Sequence, residues 1–167
     1  MSKTPHKKDA PKSVAVGILT VSTTRTLETD QSGSWMAGFA GKEGHRMMYH
    51  QVVPDDAEAI SMTVADVVLS RDLDVLIVTG GTGISPKDVT IEAVRPLFEK
   101  ELTAFGPVYA QLSYEEIDSA AILSRATAGV ISKTLIFCIP GSLNACKLAC
   151  KSLIFPELGH LTKHMKE

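Results

Sequence analysis

Apolar runs and helical stripes alternate along this chain. Residues 14–21 (VAVGILTV) are an apolar run rich in β-branched side chains, the pattern of a strand covered on both faces. A polar stretch, residues 22–32, leads to residues 35–43, where Trp35, Met36, Phe39 and Ala40 share one helical face and Gly44 suits the left-handed end of a helix. Residues 46–53 predict a second strand, closed by Pro54. Residues 56–70 carry the clearest helical stripe. Ile60, Val64, Val67 and Val68 lie on one face, and Asp55 or Asp56 can cap the free N–H groups. Residues 74–79 (DVLIVT) predict a third buried strand, followed by a glycine-rich turn. This β-α-β-α-β order predicts an α/β fold, a mostly parallel sheet covered by helices.

The second half continues the theme. Residues 90–98 predict a helix limited by Pro96, and residues 105–116 another. Residues 134–139 (TLIFCI) predict a strand, Pro140-Gly141-Ser142 a tight turn, and residues 143–155 a helix with Leu143, Cys146, Ala149, Cys150 and Leu153 facing inward. No repeat or linker divides the chain. One domain is expected over residues 13–167, with the polar, lysine-rich residues 1–12 as a disordered tail.

Composition narrows the function classes. With 44% hydrophobic and 22% charged residues the 167-residue chain is ordinary for a globular domain. A net charge of -2 offers no basic face for nucleic acid. A phosphate ligand on such a chain needs a metal ion or a nest of backbone N–H groups. No run approaches the roughly 18–20 apolar residues needed to cross a membrane, and no apolar run follows the N-terminal charges as a signal peptide requires. Cys138, Cys146 and Cys150, odd in number, are expected to be reduced thiols of a cytoplasmic protein.

Chemistry concentrates in residues 78–90, VTGGTGISPKDVT. The segment follows a buried strand, at the end where open α/β sheets place ligands. Gly80, Gly81 and Gly83 allow positive φ and leave room for a ligand, so successive N–H groups can face one anion, with the Thr82 hydroxyl as a further donor. The spacing fits neither a Walker A loop nor a dinucleotide fingerprint. A plain glycine turn is the competing reading, as is a helix cap for Asp88. Pro54-Asp55-Asp56 ends the second strand. If that strand neighbours the first, Asp55 and Asp88 reach one cleft, where two carboxylates beside a phosphate call for a hard cation such as Mg²⁺. A helix cap is the alternative for Asp55.

Residues 79–90 resemble the signature of the MogA/MoaB family of molybdenum-cofactor biosynthesis, which includes the G domains of gephyrin and its plant counterpart. TVSTTR (residues 20–25), DQSG (30–33), VPDD (53–56), Phe105-Gly106, LSRA (123–126) and IPGS (139–142) agree in order and spacing. The likeness runs from about Val14 to about Pro156 and is closest to the MoaB branch. It implies a three-layer α/β/α sandwich and a homo-oligomer, trimer or hexamer. It also implies transfer of AMP from Mg-ATP to the phosphate of molybdopterin, with release of pyrophosphate. On that likeness Asp55 and Asp88 are catalytic and hold Mg²⁺, and Gly80, Gly81, Thr82 and Gly83 hold a phosphate. Ser22, Ser124, Gly141 and Ser142 line the nucleotide and pterin pocket. Within the family a non-catalytic molybdopterin-binding or assembly role on the same scaffold is the alternative. The family usually carries an aspartate after the first motif's serine, where this chain has Thr23.

Other candidates are expected to be structural. Cys146 and Cys150 with His160 and His164 have zinc-like spacing, but the helical pattern turns both cysteines into the core. His45 and His50 flank a strand with no carboxylate nearby in sequence and are expected on the surface. Lys87, beside the glycine turn, is read equally well as a phosphate contact or a solvated charge.

Overall fold

The fold is described from a computed structural model, over residues 9–167. Six strands form one sheet: β1 (Ala15–Val21), β2 (Arg46–Val53), β3 (Val75–Thr79), β4 (Lys100–Glu101), β5 (Thr127–Ile131) and β6 (Thr134–Ile139), in the order β2-β1-β3-β6-β5-β4. The first four in that order run parallel. β5 is antiparallel to β6, and β4 to β5. The sheet is thus mostly parallel, as the alternating pattern predicts.

Successive side chains along β1, β3 and β6 divide between two cores. Val16, Ile18, Val75, Ile77, Leu135 and Phe137 meet α1 (Gln31–Lys42), α4 (Phe105–Ile117), α5 (Leu143–Ala149) and α6 (Phe155–Lys166). Leu19, Leu76, Val78, Ile136 and Cys138 meet α2 (Ala57–Ser70) and α3 (Thr90–Val94) on the other face. A strand covered on both sides has no polar face, which explains the unbroken apolar runs. The result is the expected three-layer sandwich.

Four departures have local causes. Helix α1 starts four residues before the expected stripe because the buried Asp30 caps it, its side chain accepting from Gly33 N–H. The helix expected to stop at Phe155 instead continues to Lys166. A π-helical turn, Cys150–Ile154, absorbs the register change, and Pro156 stands in the first turn of α6, where its missing N–H is not needed. Helix α3 is only five residues, tightening into a 3₁₀ turn at Arg95–Leu97 where Pro96 falls. Strands β4 and β5 have no counterpart in the sequence reading. The first is two residues long, and the second carries Gly129 in mid-run and joins β6 through a Ser132-Lys133 turn. The first eight residues of the expected tail lie outside the described residues, and residues 9–12 form no helix or strand.

Candidate functional site

Parallel pairing gathers the chemistry. Val21 pairs with Val53, Thr20 with Thr79, and Thr79 with Ile139, so the four loops following β2, β1, β3 and β6 leave the sheet at one edge. Those loops carry Asp55, Ser22, Gly80–Gly83 and Gly141-Ser142. β5 runs the other way and starts at that edge, which brings Ser124 and Arg125 to it as well.

The glycine turn is built so that only glycine fits its first two positions. Gly80 has φ 98° and Gly81 φ 64°. A Cβ on Gly80 would stand 2.3 Å from the Val21 carbonyl oxygen, and one on Gly81 would stand 2.4 Å from Thr90 Oγ1. Thr90 closes the loop, its hydroxyl donating to Gly80 O at 2.7 Å and its N–H to Gly81 O at 2.9 Å. The nest is smaller than the sequence suggests. The Gly80 N–H donates to Ile139 O at 3.0 Å, while the N–H groups of Gly81, Thr82 and Gly83 have no partner among the described residues. Thr82 is buried, with 3% exposure.

Both aspartates stand beside this turn, and neither caps a helix. The cap of α2 is Asp56, which accepts from Ala59 N–H at 2.8 Å; the cap position of α3 is Val89. Asp55 Oδ2 accepts from the Thr23 N–H at 2.8 Å and the Thr23 hydroxyl at 2.6 Å, and its Oδ1 lies 3.4 Å from where a Cβ on Gly81 would be. Asp88 Oδ2 accepts from Ser85 N–H at 2.9 Å and lies 2.7 Å from where a Cβ on Gly83 would be. Each carboxylate thus has one oxygen bound, that of Asp55 by the loop after β1 and that of Asp88 within its own loop, and one left over, beside Gly81 and Gly83 respectively. Two hard oxygen donors, beside amides able to hold a phosphate, are a set that Mg²⁺ fits once phosphate oxygens and water complete its shell. Among the described residues no group of three or more His, Cys, Asp or Glu side chains is arranged to hold a metal by itself.

Two arginines belong to the edge although the residue-level reading passed over them. Arg25 Nη1 donates to Gly141 O at 3.2 Å, alongside the Ser32 hydroxyl at 2.9 Å. Arg125 Nη1 donates to Gly83 O at 2.7 Å and its Nη2 pairs with Glu92. Both lie inside the quoted motifs, TVSTTR and LSRA, so the motif spacing was the signal that could have found them. Ser22 Oγ accepts from the Arg25 N–H at 3.1 Å, shaping the first loop. Lys87 is exposed and forms no ion pair among the described residues.

Three of the candidates, Ser22, Ser124 and Ser142, border two separate clefts. Ser22 lines an open one with Thr23, Arg25 and Pro54. Ser124 and Ser142 line a narrower one of about 200 Å³ with Tyr109, Ser113, Glu116 and Asn144. The glycine turn, following β3, stands between β1 and β6 in sheet order. Ser142 also caps α5, its Oγ accepting from Ala145 N–H at 3.2 Å.

One expectation is corrected. His50 is not a bare surface residue, because its Nε2 lies 2.8 Å from the buried Asp30 Oδ2, twenty residues away in sequence. Burial opposes the Asp30 charge, but bonds from the Thr20 hydroxyl (2.6 Å), Gly33 N–H (3.0 Å) and His50 outweigh it and hold the carboxyl below its ordinary range. His45 is half-buried too: its Nδ1 accepts from Val14 N–H at 3.3 Å, and burial lowers its pKa. The cysteines are core residues as expected, free and buried, with burial pushing the Cys138 thiol up to about 12.

The fold and edge define a class: an α/β domain whose strand ends present a glycine turn flanked by carboxylates. The comparisons give the family. Residues 17–160 match the model described as "Probable molybdopterin binding domain". The molybdenum cofactor biosynthesis protein B of Bacillus subtilis (strain 168) is 46% identical across the whole of this chain and 99% of its own length. A crystal structure of a molybdenum cofactor biosynthesis protein B superposes with a TM-score of 0.91 at 44% identity, covering 94% of this chain and 98% of the other. The tungsten cofactor synthesizing protein MoaB from Pyrococcus furiosus superposes at 0.84 and 38% identity, covering 95% and 100%. The chain belongs to the MoaB/MogA family of molybdenum-cofactor biosynthesis proteins. No helix among the described residues is long and apolar enough to cross a membrane.

Proposed function

We propose that the chain is a cytoplasmic nucleotidyltransferase that moves AMP from ATP to the phosphate of molybdopterin. The observation that carries this reading is the pair Asp55 and Asp88, each with an unbonded oxygen beside a turn whose amides lack partners. A binder of a neutral pterin ring has no use for two acids next to a phosphate site. An oxygen of the pterin's phosphate attacks the α-phosphorus of ATP, the bond to the β-phosphate oxygen breaks, and pyrophosphate leaves. The N–H groups of Gly81, Thr82 and Gly83 donate to a phosphate, and Arg25 and Arg125 add positive charge at either side. Asp55 and Asp88 would hold Mg²⁺, which supplies charge neutralisation and a template for in-line transfer. The cleft at Ser124 and Ser142 is the place we assign to the pterin. The test is pyrophosphate release from ATP, Mg²⁺ and molybdopterin.

A non-catalytic molybdopterin-binding role is the second reading, and Thr23 favours it. Where the family usually has a carboxylate, this chain has a hydroxyl that donates to Asp55 and lowers the negative charge of the edge. Pterin binding with no pyrophosphate release would select it.

Soaking a crystal in sulfate is expected to place an anion on the amides of Gly81, Thr82 and Gly83. An empty turn at high sulfate would remove its phosphate role.

We also propose an assembly of three-fold symmetry. The resemblance motivates it, and exposed apolar side chains at Tyr114, Ile117, Ile122 and Leu123 support it. Light scattering is expected to give the mass of three or six chains; a stable monomer or dimer would refute it.

A further inference from the structure

The carbonyls of the glycine turn are sorted from its amides. Thr90 takes two of them, its hydroxyl donating to Gly80 O at 2.7 Å and its N–H to Gly81 O at 2.9 Å. Arg125 takes a third, its Nη1 donating to Gly83 O at 2.7 Å. A trans peptide points its N–H opposite to its carbonyl, and no peptide bond among the described residues is cis. Each held carbonyl therefore aims the next residue's N–H the other way. The N–H groups so aimed belong to Gly81, Thr82 and Ile84, and none has a partner among the described residues. A carbonyl oxygen facing an anion repels it, so a nest of N–H groups needs its carbonyls held back.

Arg125 reaches the turn from forty-two residues beyond Gly83. Its Nη2 pairs with Glu92 on α3, the helix that begins at Thr90. All three carbonyls are thus held from one short helix, two by Thr90 directly and the third by Arg125 braced on Glu92. A guanidinium suits this task. It is a planar, rigid fork that serves two acceptors at once, where an ammonium is a point charge on a flexible stem. Asp88 leans on the same glycine, its Oδ2 2.7 Å from where a Cβ on Gly83 would be. Arg125 also follows Ser124, which lines the cleft assigned to the pterin.

We propose that Arg125, beyond the charge it brings, is the positioning residue of the anion turn: it holds back Gly83 O and turns the Ile84 N–H out as a further donor. This role rests on the phosphate site proposed for the turn. The test is calorimetric titration of the full chain with inorganic pyrophosphate in the presence of Mg²⁺. Arg125→Lys keeps the charge and loses the fork. It is expected to weaken binding about 10-fold, as much as Arg125→Gln does, which is the size of a hydrogen bond to a charged group. Glu92→Ala is expected to weaken it about 3-fold, since the guanidinium then loses only its brace. Melting curves are expected to stay unchanged, because the Arg125 and Glu92 side chains are 33% and 54% exposed. Crystals of Arg125→Gln soaked in sulfate are expected to show Gly83 O released and the turn empty. Wild-type affinity in either Arg125 variant would overturn the role, and in Arg125→Lys it would leave charge alone as the contribution. So would an anion seated on an unaltered turn in the Arg125→Gln crystals, or weaker binding that comes with a lowered melting temperature. Wild type that binds no pyrophosphate would remove the phosphate site itself, whereas the other adverse results leave that site standing.

Discussion

Asp88→Asn and Asp55→Asn are each expected to reduce AMP transfer at least ~100-fold while leaving the fold in place. A hundredfold loss corresponds to about 2.7 kcal/mol of transition-state stabilisation. The reaction joins two anions, so the site must neutralise charge and align the attacking and leaving oxygens. An amide keeps the shape of either side chain but removes the charge that would retain Mg²⁺. Stability is expected to change by under ~1 kcal/mol, and the local contacts say why. The cap of α2 is the neighbouring Asp56, so Asp55→Asn leaves that helix end intact. An amide oxygen can still accept from Thr23, or from Ser85 in the case of Asp88. The measurement is pyrophosphate release for each variant beside its melting curve. Near-normal turnover in Asp88→Asn would remove the metal-assisted mechanism. Inactivity together with unfolding would make both aspartates structural.

Asp30→Ala is expected to be the most destabilising of these changes, by about 3–5 kcal/mol, the range for removing one partner of a buried charged network. The carboxylate is fully buried and ties three elements together: Thr20 on β1, Gly33 in the first turn of α1 and His50 on β2. Its loss removes the cap of α1 and leaves a buried hydroxyl, a buried N–H and a ring nitrogen without their acceptor. Because the folded-state carboxyl lies below its ordinary range, the contribution is complete above about pH 4. It is lost as the pH falls through the lower folded value. Asp30→Asn is therefore expected to be less stable at neutral pH and to show a weaker acid dependence than wild type. Thermal melting of the three proteins across pH 3 to 7 (roughly the span in which carboxylates titrate) measures both effects. A loss below ~1 kcal/mol in Asp30→Ala would show that water or a rearranged His50 replaces the carboxylate.

The contrast between Asp55 and Asp30 shows what a sequence can reveal. Asp55, Asp88 and the glycine turn were legible because each follows an apolar run, and parallel strands deliver their carboxyl ends to one edge. Asp30 lies in a polar stretch that reads as loop, and its partners Thr20 and His50 are ten and twenty residues away. Nothing periodic links them. Arg25 and Arg125 were missed as individual residues for a related reason. Both hold backbone carbonyls, of Gly141 and Gly83, and a carbonyl has no signature in a sequence; the other partner of Arg125, Glu92, is thirty-three residues away.

The alternation of apolar runs and helical stripes determined the layers, the parallel core of the sheet and the strand ends that carry the aspartates, since burial on two faces demands those patterns locally. Only the tertiary structure decided the rest. It took helix α6 through a π turn past Pro156, and it placed β5 and β4 at the sheet's far edge, where short strands draw their order from pairing rather than propensity. It withdrew the Gly80 amide from the anion nest by bonding it to Ile139 O. It also set Thr23 against Asp55, thirty-two residues apart, because β1 and β2 are neighbours and their ends must share one space.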